Sequence, residues 1–231
     1  MVSVRGAREI AAVTLDVHGV LLLPDPTELR RVLEPFGAQP DDQTCWRAHY
    51  EMTDLIDRTV EPHWPHIHRA LTAALGVPPR LQEIAAPSVV DAYLTKRWIA
   101  APGAAVALAR LASSGYRLAV IANSTHGKVE QWLADAKVCG ASGSLSRVAC
   151  ILDSKVLGFG KPDPRIFELA LGALDAPPNQ CVHVGDSVAS DVIGAQAVGI
   201  IPAHVDPHGR CDSIGHAHTT SLAAFVGDVL G

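Results

Sequence analysis

The chain has 231 residues, 48% of them hydrophobic, and 19 Lys or Arg stand against 24 Asp or Glu for a formal net charge of −5. That length is ample for a buried core in one large or two small domains. A negative balance without a long run of Lys or Arg excludes the electrostatic footprint of a nucleic-acid binder and favours small-molecule chemistry. No apolar stretch approaches the roughly 20 residues needed to cross a bilayer, so no membrane partner is expected.

In chain order, Met1 to Glu9 lacks a charged head followed by an apolar core and a small-residue cleavage site, so secretion is not expected. The run Ile10-Ala11-Ala12-Val13-Thr14-Leu15 reads as a buried parallel strand that ends at Asp16 and meets a turn at Gly19. Residues 25–97 read helical, with phased apolar positions in Leu29 to Leu33 and in Ile67 to Leu75, which closes at Gly76. Alternation follows: helix 103–114, strand 117–122, helix 128–136, strand 149–153, a helix opened by Pro164, strand 181–184 and strand 199–205. A polar loop and a closing helix over 221–230 complete the chain. Strands separated by helices of this length predict βαβ units and a parallel sheet. The five cysteines, odd in number and without a CxxC pair, argue against both a disulfide framework and a zinc ribbon. A cytoplasmic protein with reduced thiols, monomeric or homodimeric, is the expectation.

Four segments stand at strand ends: Asp16-Val17-His18-Gly19, Ala122-Asn123-Ser124, Gly160-Lys161-Pro162-Asp163-Pro164-Arg165-Ile166-Phe167, and Gly185-Asp186-Ser187 with Asp191. In open α/β sheets ligands gather at the carboxyl ends of such strands. Asp16 is placed there as a nucleophile would be, and Asp186 with Asp191 as hard oxygen donors suited to Mg²⁺. Lys161 precedes a rigid Pro-Asp-Pro turn that would hold its ammonium near those carboxylates. In this order and context the four segments resemble the haloacid dehalogenase superfamily, from residue 10 to about residue 205.

The resemblance implies an α/β fold with a doubly wound, Rossmann-like parallel core, residues 1–22 and 98–231, interrupted by an all-helical cap over residues 23–97. It implies a hydrolase in which Asp16 attacks and forms an acyl intermediate, usually an aspartyl phosphate. Lys161 would neutralise the crowded charge, and Asn123 and Ser124 would hold the oxygens of the transferring group. Mg²⁺ would be held by Asp16, the backbone carbonyl of His18 and Asp186, with Asp191 serving the metal. The expected reaction is Mg²⁺-dependent hydrolysis of a small phosphorylated metabolite.

Two positions depart from the phosphatase pattern. His18 replaces the usual aspartate acid/base, a task within the reach of an imidazole with an ordinary pKa of about 6.5, and Ala122 stands where Ser or Thr is usual. Metal-free 2-haloacid dehalogenation, or a weakened binding or regulatory module, are therefore the alternatives. The helical segment also carries Glu61-Pro62-His63-Trp64-Pro65-His66-Ile67-His68, readable as a metal site or a substrate-recognition surface. The late histidines His204, His208, His216 and His218 match no familiar ligand spacing and are set aside.

Overall fold

The structure, a computed structural model, describes residues 10–59, 61, 63–95, 97–140 and 147–230. The N-terminal stretch 1–9 and Pro62 of the histidine-bearing cluster lie outside the described residues. In chain order the elements are β1 (Ala12–Leu15), β2 (Leu22–Pro24), α1 (Pro26–Leu33), α2 (Asp42–Asp57), α3 (Trp64–Ala74), α4 (Gln82–Thr95), β3 (Trp98–Ala100), α5 (Ala104–Ser113), β4 (Arg117–Ala122) and α6 (Val129–Asp135). They continue as β5 (Cys150–Asp153), α7 (Ser154–Leu157), α8 (Pro164–Leu174), β6 (Cys181–Gly185), α9 (Ile193–Ala197), β7 (Ile201–Val205), β8 (Ala217–Thr219) and α10 (Leu222–Leu230).

Two compact units result, one taking in the described residues up to Leu22 and from Ala100 onward, the other Leu23–Ile99. The first unit is built on a six-stranded sheet in the order β5-β4-β1-β6-β7-β8, and every described pairing in it is parallel. The chain leaves β1 towards β4 and β5, then returns to the other side of β1 as β6. The strand order therefore reverses between β1 and β6, the crevice where open α/β sheets bind ligands. β1 is buried along its whole length, as a strand covered on both faces must be.

Helix α8 shows how local chemistry sets these elements. The Asp163 carboxylate caps it by accepting from the Arg165 N–H at 3.0 Å, Pro164 occupies the first turn, and Asp175 ends it in the left-handed conformation. Ile166, Phe167, Ala170, Leu171 and Leu174 fall on one buried face and pack with Ala12, Ala119, Ile121 and Cys181. Gly194 of α9 must be a glycine, because a Cβ there would strike the Phe167 ring.

The second unit is helical, with α1 capped by Asp25 and α2 by Asp41. Inside it the His49 ring stacks on Tyr93 at 5.9 Å between centroids and donates to or accepts from the Tyr93 hydroxyl, while Trp98 meets both edge-on. β2 and β3 form a separate two-stranded sheet at the two ends of this segment. The strand β8 falls where the sequence reads as a polar loop. His218 and its neighbours carry no apolar alternation, and only pairing with β7 makes the strand.

Phe167 is fully buried. Its replacement by Ala should lower the unfolding free energy by about 3–5 kcal/mol, read from the urea midpoint, whereas Ser at Ile214, which is 90% exposed, should change it by no more than about 0.5 kcal/mol.

Candidate active site

Because Leu15 is in register with Val184, the residues following them, Asp16 and Gly185 with Asp186, lie side by side at the strand-order reversal. The Asp16 N–H donates to the Val184 carbonyl at 2.9 Å, which carries the β1–β6 ladder to the edge of the site. Asp16, Asp186 and Asp191 are all buried, and one carboxylate oxygen from each lies within 4.8 Å of the others.

The Lys161 ammonium joins two of them, 2.5 Å from Asp16 Oδ1 and 2.6 Å from Asp191 Oδ1, with the lysine side chain only 2% exposed. Its backbone is held by an amide clamp. Asn123 Nδ2 donates to the Lys161 carbonyl at 2.8 Å, and the Lys161 N–H donates to Asn123 Oδ1 at 2.8 Å. Gly160 lets the clamp close, since a Cβ there would collide with Asn123 Oδ1 and the Ser154 Cβ. An open pocket of about 560 Å³ lies beside Lys161, lined in part by Ser124, Thr125, Ser154 and Phe159.

Asp191 reaches back to the sheet from a single π turn, Val188–Val192, opened by Ser187, a local irregularity often found at functional sites. Both of its oxygens are engaged: Oδ1 with Lys161 and with His183 Nε2 at 3.0 Å, and Oδ2 with the Ser187 N–H at 3.0 Å. An ionised carboxylate only accepts, so His183 Nε2 carries the proton and Nδ1 accepts from the Thr14 hydroxyl 2.9 Å away. Burial lowers the His183 pKa below its ordinary value, against the pull of Asp191. Thr14 and His183 are register partners on β1 and β6. Sequence reasoning missed this pair, although a lone His in the apolar strand Cys181–Gly185 was its signal.

The electrostatics are unbalanced. Burial pushes Asp16 up to about 8, with Lys161 pulling the other way and Asp191 and Asp186 adding like-charge repulsion. Asp191, despite its burial, is held below the usual carboxylate range by Lys161 and His183. Lys161 is raised to about 12, because Asp16 and Asp191 outweigh the cost of its burial. Of the three buried carboxylates, Asp16 and Asp191 thus share the Lys161 ammonium.

The profile of the haloacid dehalogenase-like hydrolases matches residues 10–199, most of the chain. The chain belongs to this family. It is 34% identical over 139 residues to a phosphoserine phosphatase of Thermus thermophilus, covering 59% of this chain and 51% of that one. It is 28% identical over 215 residues to (S)-2-haloacid dehalogenase 4A of Burkholderia cepacia, covering 87% and 85%. The chain thus spans about half the length of the phosphoserine phosphatase and most of the dehalogenase. A magnesium-bound hydrolase of the same superfamily from Bacillus subtilis shares the fold, with a TM-score of 0.66 at 16% identity over 95% of this chain and 98% of that one.

Within this haloacid dehalogenase-like hydrolase the remaining candidate residues fall as follows. His18 is half-buried in the turn after Asp16, with its ring edge-on to Trp132 at 6.1 Å. Asn123 and Ser124, expected to hold the transferring group, line the pocket beside Lys161 while their side chains also bond within the protein. Asn123 clamps Lys161, and the Ser124 hydroxyl donates to Asp153 Oδ1 at 2.6 Å while accepting from the Gly127 N–H at 3.2 Å. Both face groups distant in sequence, which the strand-end reading could not foresee. Ala122 closes β4 fully buried. His63 caps α3 by accepting from the His66 N–H at 3.3 Å, and the 61–68 cluster is not among the groups of the described residues that could hold an ion.

Folding holds a proton on Asp16 between its ordinary pKa and about 8 that the unfolded chain has given up. Stability from this group is therefore complete at acid pH and lost as pH rises through that window. Asp16→Asn should flatten the loss, raising the melting temperature of metal-free protein at pH 8 by roughly 2–4 °C for each kcal/mol relieved, measured by calorimetry across pH. A Cβ on Gly185 would overlap the Asp191 carboxyl group, so Gly185→Ala should cost about 1–3 kcal/mol and dislodge Lys161's partner, read as a urea-midpoint shift together with lost turnover.

Proposed function

We propose that this hydrolase is a Mg²⁺-dependent phosphatase of a small phosphorylated metabolite, working through an aspartyl phosphate on Asp16. The observation that carries this reading is the gathering of carboxylates: Asp16 and Asp186 converge with Asp191 within 4.8 Å, and the Lys161 ammonium contacts Asp16 and Asp191. The donor set fits a divalent cation, since carboxylate oxygens are hard ligands and burial, with repulsion from Asp191 and Asp186 added to it, has already driven Asp16 to about 8. Asp16, the His18 carbonyl and Asp186 would hold Mg²⁺, which would offset the negative charge of the phosphoryl group. Both Asp191 oxygens are already engaged, so its part is to orient Lys161.

In this reading one Asp16 oxygen attacks phosphorus as the ester P–O bond breaks, and the departing oxygen takes a proton from His18. Lys161, fixed by the Asn123 clamp and by Asp191, faces the charge that develops on the phosphoryl oxygens. His18 then removes a proton from the water that attacks the aspartyl phosphate, freeing phosphate and restoring Asp16. The burial of Asp16 and Lys161 strengthens each of these electrostatic contacts.

Similarity to the haloacid dehalogenase over most of that enzyme's length supports a second reading, displacement of halide from a 2-haloacid without metal. Asp186, which the metal-free branch lacks, weighs against it.

A panel of phosphorylated metabolites separates the two. Phosphate release should require Mg²⁺, fall at least about 10³-fold in Asp16→Asn and fall about 10²–10⁴-fold in His18→Ala. Chelator-resistant release of halide from 2-haloacids, with no phosphate release above the Asp16→Asn background, would contradict the proposal.

A further inference from the structure

A second group of ligating side chains lies beyond the acidic centre, at the β7–β8 edge of the sheet. His204 of β7 and His218 of β8 are register partners, and His216, two residues before His218, projects to the same side. Cys211 comes from the loop between the strands. That loop is shaped by Asp206, whose carboxylate accepts the N–H groups of Arg210 at 3.0 Å and Cys211 at 2.9 Å. One nitrogen or sulfur from each of His204, Cys211, His216 and His218 lies within 4.8 Å of the others.

His216 Nε2 is the common neighbour, 3.4 Å from His204 Nδ1, 3.7 Å from Cys211 Sγ and 2.9 Å from His218 Nε2. A ring nitrogen carries either one proton or one lone pair. It can therefore be fully paired with one of these three, whereas a cation among them satisfies all four atoms at once. The spacing suits a tetrahedral ion. With Zn–N near 2.0–2.1 Å and Zn–S near 2.3 Å, the edges of the tetrahedron are about 3.4 Å between nitrogens and about 3.6 Å between nitrogen and sulfur. The 2.9 Å contact is shorter and would open on binding by rotation of the exposed His218 ring.

The support around the ligands is also of the kind metal sites use. His204 Nε2 lies 3.1 Å from the Asp186 carbonyl, an acceptor, so Nε2 donates and Nδ1 is left with its lone pair facing the cluster.

We propose that His204, Cys211, His216 and His218 form a second metal site, a closed four-coordinate zinc site with three imidazoles and one thiolate that fastens the 206–215 loop to the sheet edge. Four protein ligands leave no open position for substrate, so the site is structural, and neutral nitrogen with thiolate sulfur selects a borderline-soft ion over Mg²⁺. Through His204 it also fixes the backbone at Asp186. The proposal is independent of which reaction the acidic centre performs.

The test uses the untagged full-length chain, stripped of metal and titrated with Zn²⁺ and, separately, with Co²⁺. One zinc per chain should bind at this site, and the cobalt form should show the sulfur-to-cobalt charge-transfer band that carboxylate ligands cannot give. Cys211→Ser should abolish that band, and both Cys211→Ser and His218→Ala should weaken zinc binding at least about tenfold, with circular dichroism confirming that the metal-free variants fold. Absence of the band from the wild type, or zinc affinity unchanged in either variant, would overturn the site.

Discussion

Lys161 bridges Asp16 and Asp191 at 2.5 and 2.6 Å from a position almost wholly removed from water. A buried ion pair of this kind is weak evidence for stability, because desolvation cancels much of the attraction. Its value lies in placement. The ammonium is held at both ends, by the Asn123 clamp on its backbone and by Asp191 on its tip. Asp191 in turn is held by the Ser187 N–H and by His183, whose other ring nitrogen is fixed by Thr14. Two adjacent strands, a π turn and the loop before α8 therefore converge on a single charge.

The sheet topology makes that convergence possible. Reversal of strand order between β1 and β6 opens the ends of both strands in one crevice, and their register sets Asp16 beside Gly185. Glycine at 185 and 160 removes the side chains that would otherwise block Asp191 and Asn123. The outcome is a carboxylate cluster in which Lys161 contacts Asp16 and Asp191, while burial, with repulsion from Asp191 and Asp186 added to it, raises the Asp16 pKa to about 8. In the proposed function a divalent cation would relieve that repulsion, and charge of that kind is also what a phosphoryl group would need.

Much of this was legible in the sequence because the signals are local. Buried parallel strands announce themselves as short apolar runs, Pro164 and Asp163 mark the start of α8, and Asp16 and Asp186 sit immediately beyond their strands. What was not legible depends on long-range pairing. Asn123 and Ser124 stand at a strand end, and their protein partners, Lys161 before α8 and Asp153 at the end of β5, are distant in sequence. His183 matters because register sets it against Thr14. The late histidines match no ligand spacing along the chain, and three of them meet Cys211 only because β8 pairs with β7.

The proposal that the acidic centre takes up a divalent cation is tested most directly by titrating Mg²⁺ into metal-free protein near pH 7 in calorimetric buffers of different ionisation enthalpy. The wild type should bind one ion and release about one proton as Asp16 ionises, the proton should vanish in Asp16→Asn, and Asp186→Asn should lose binding. Mg²⁺ binding without proton release, or equal binding by wild type and Asp186→Asn, would contradict the account.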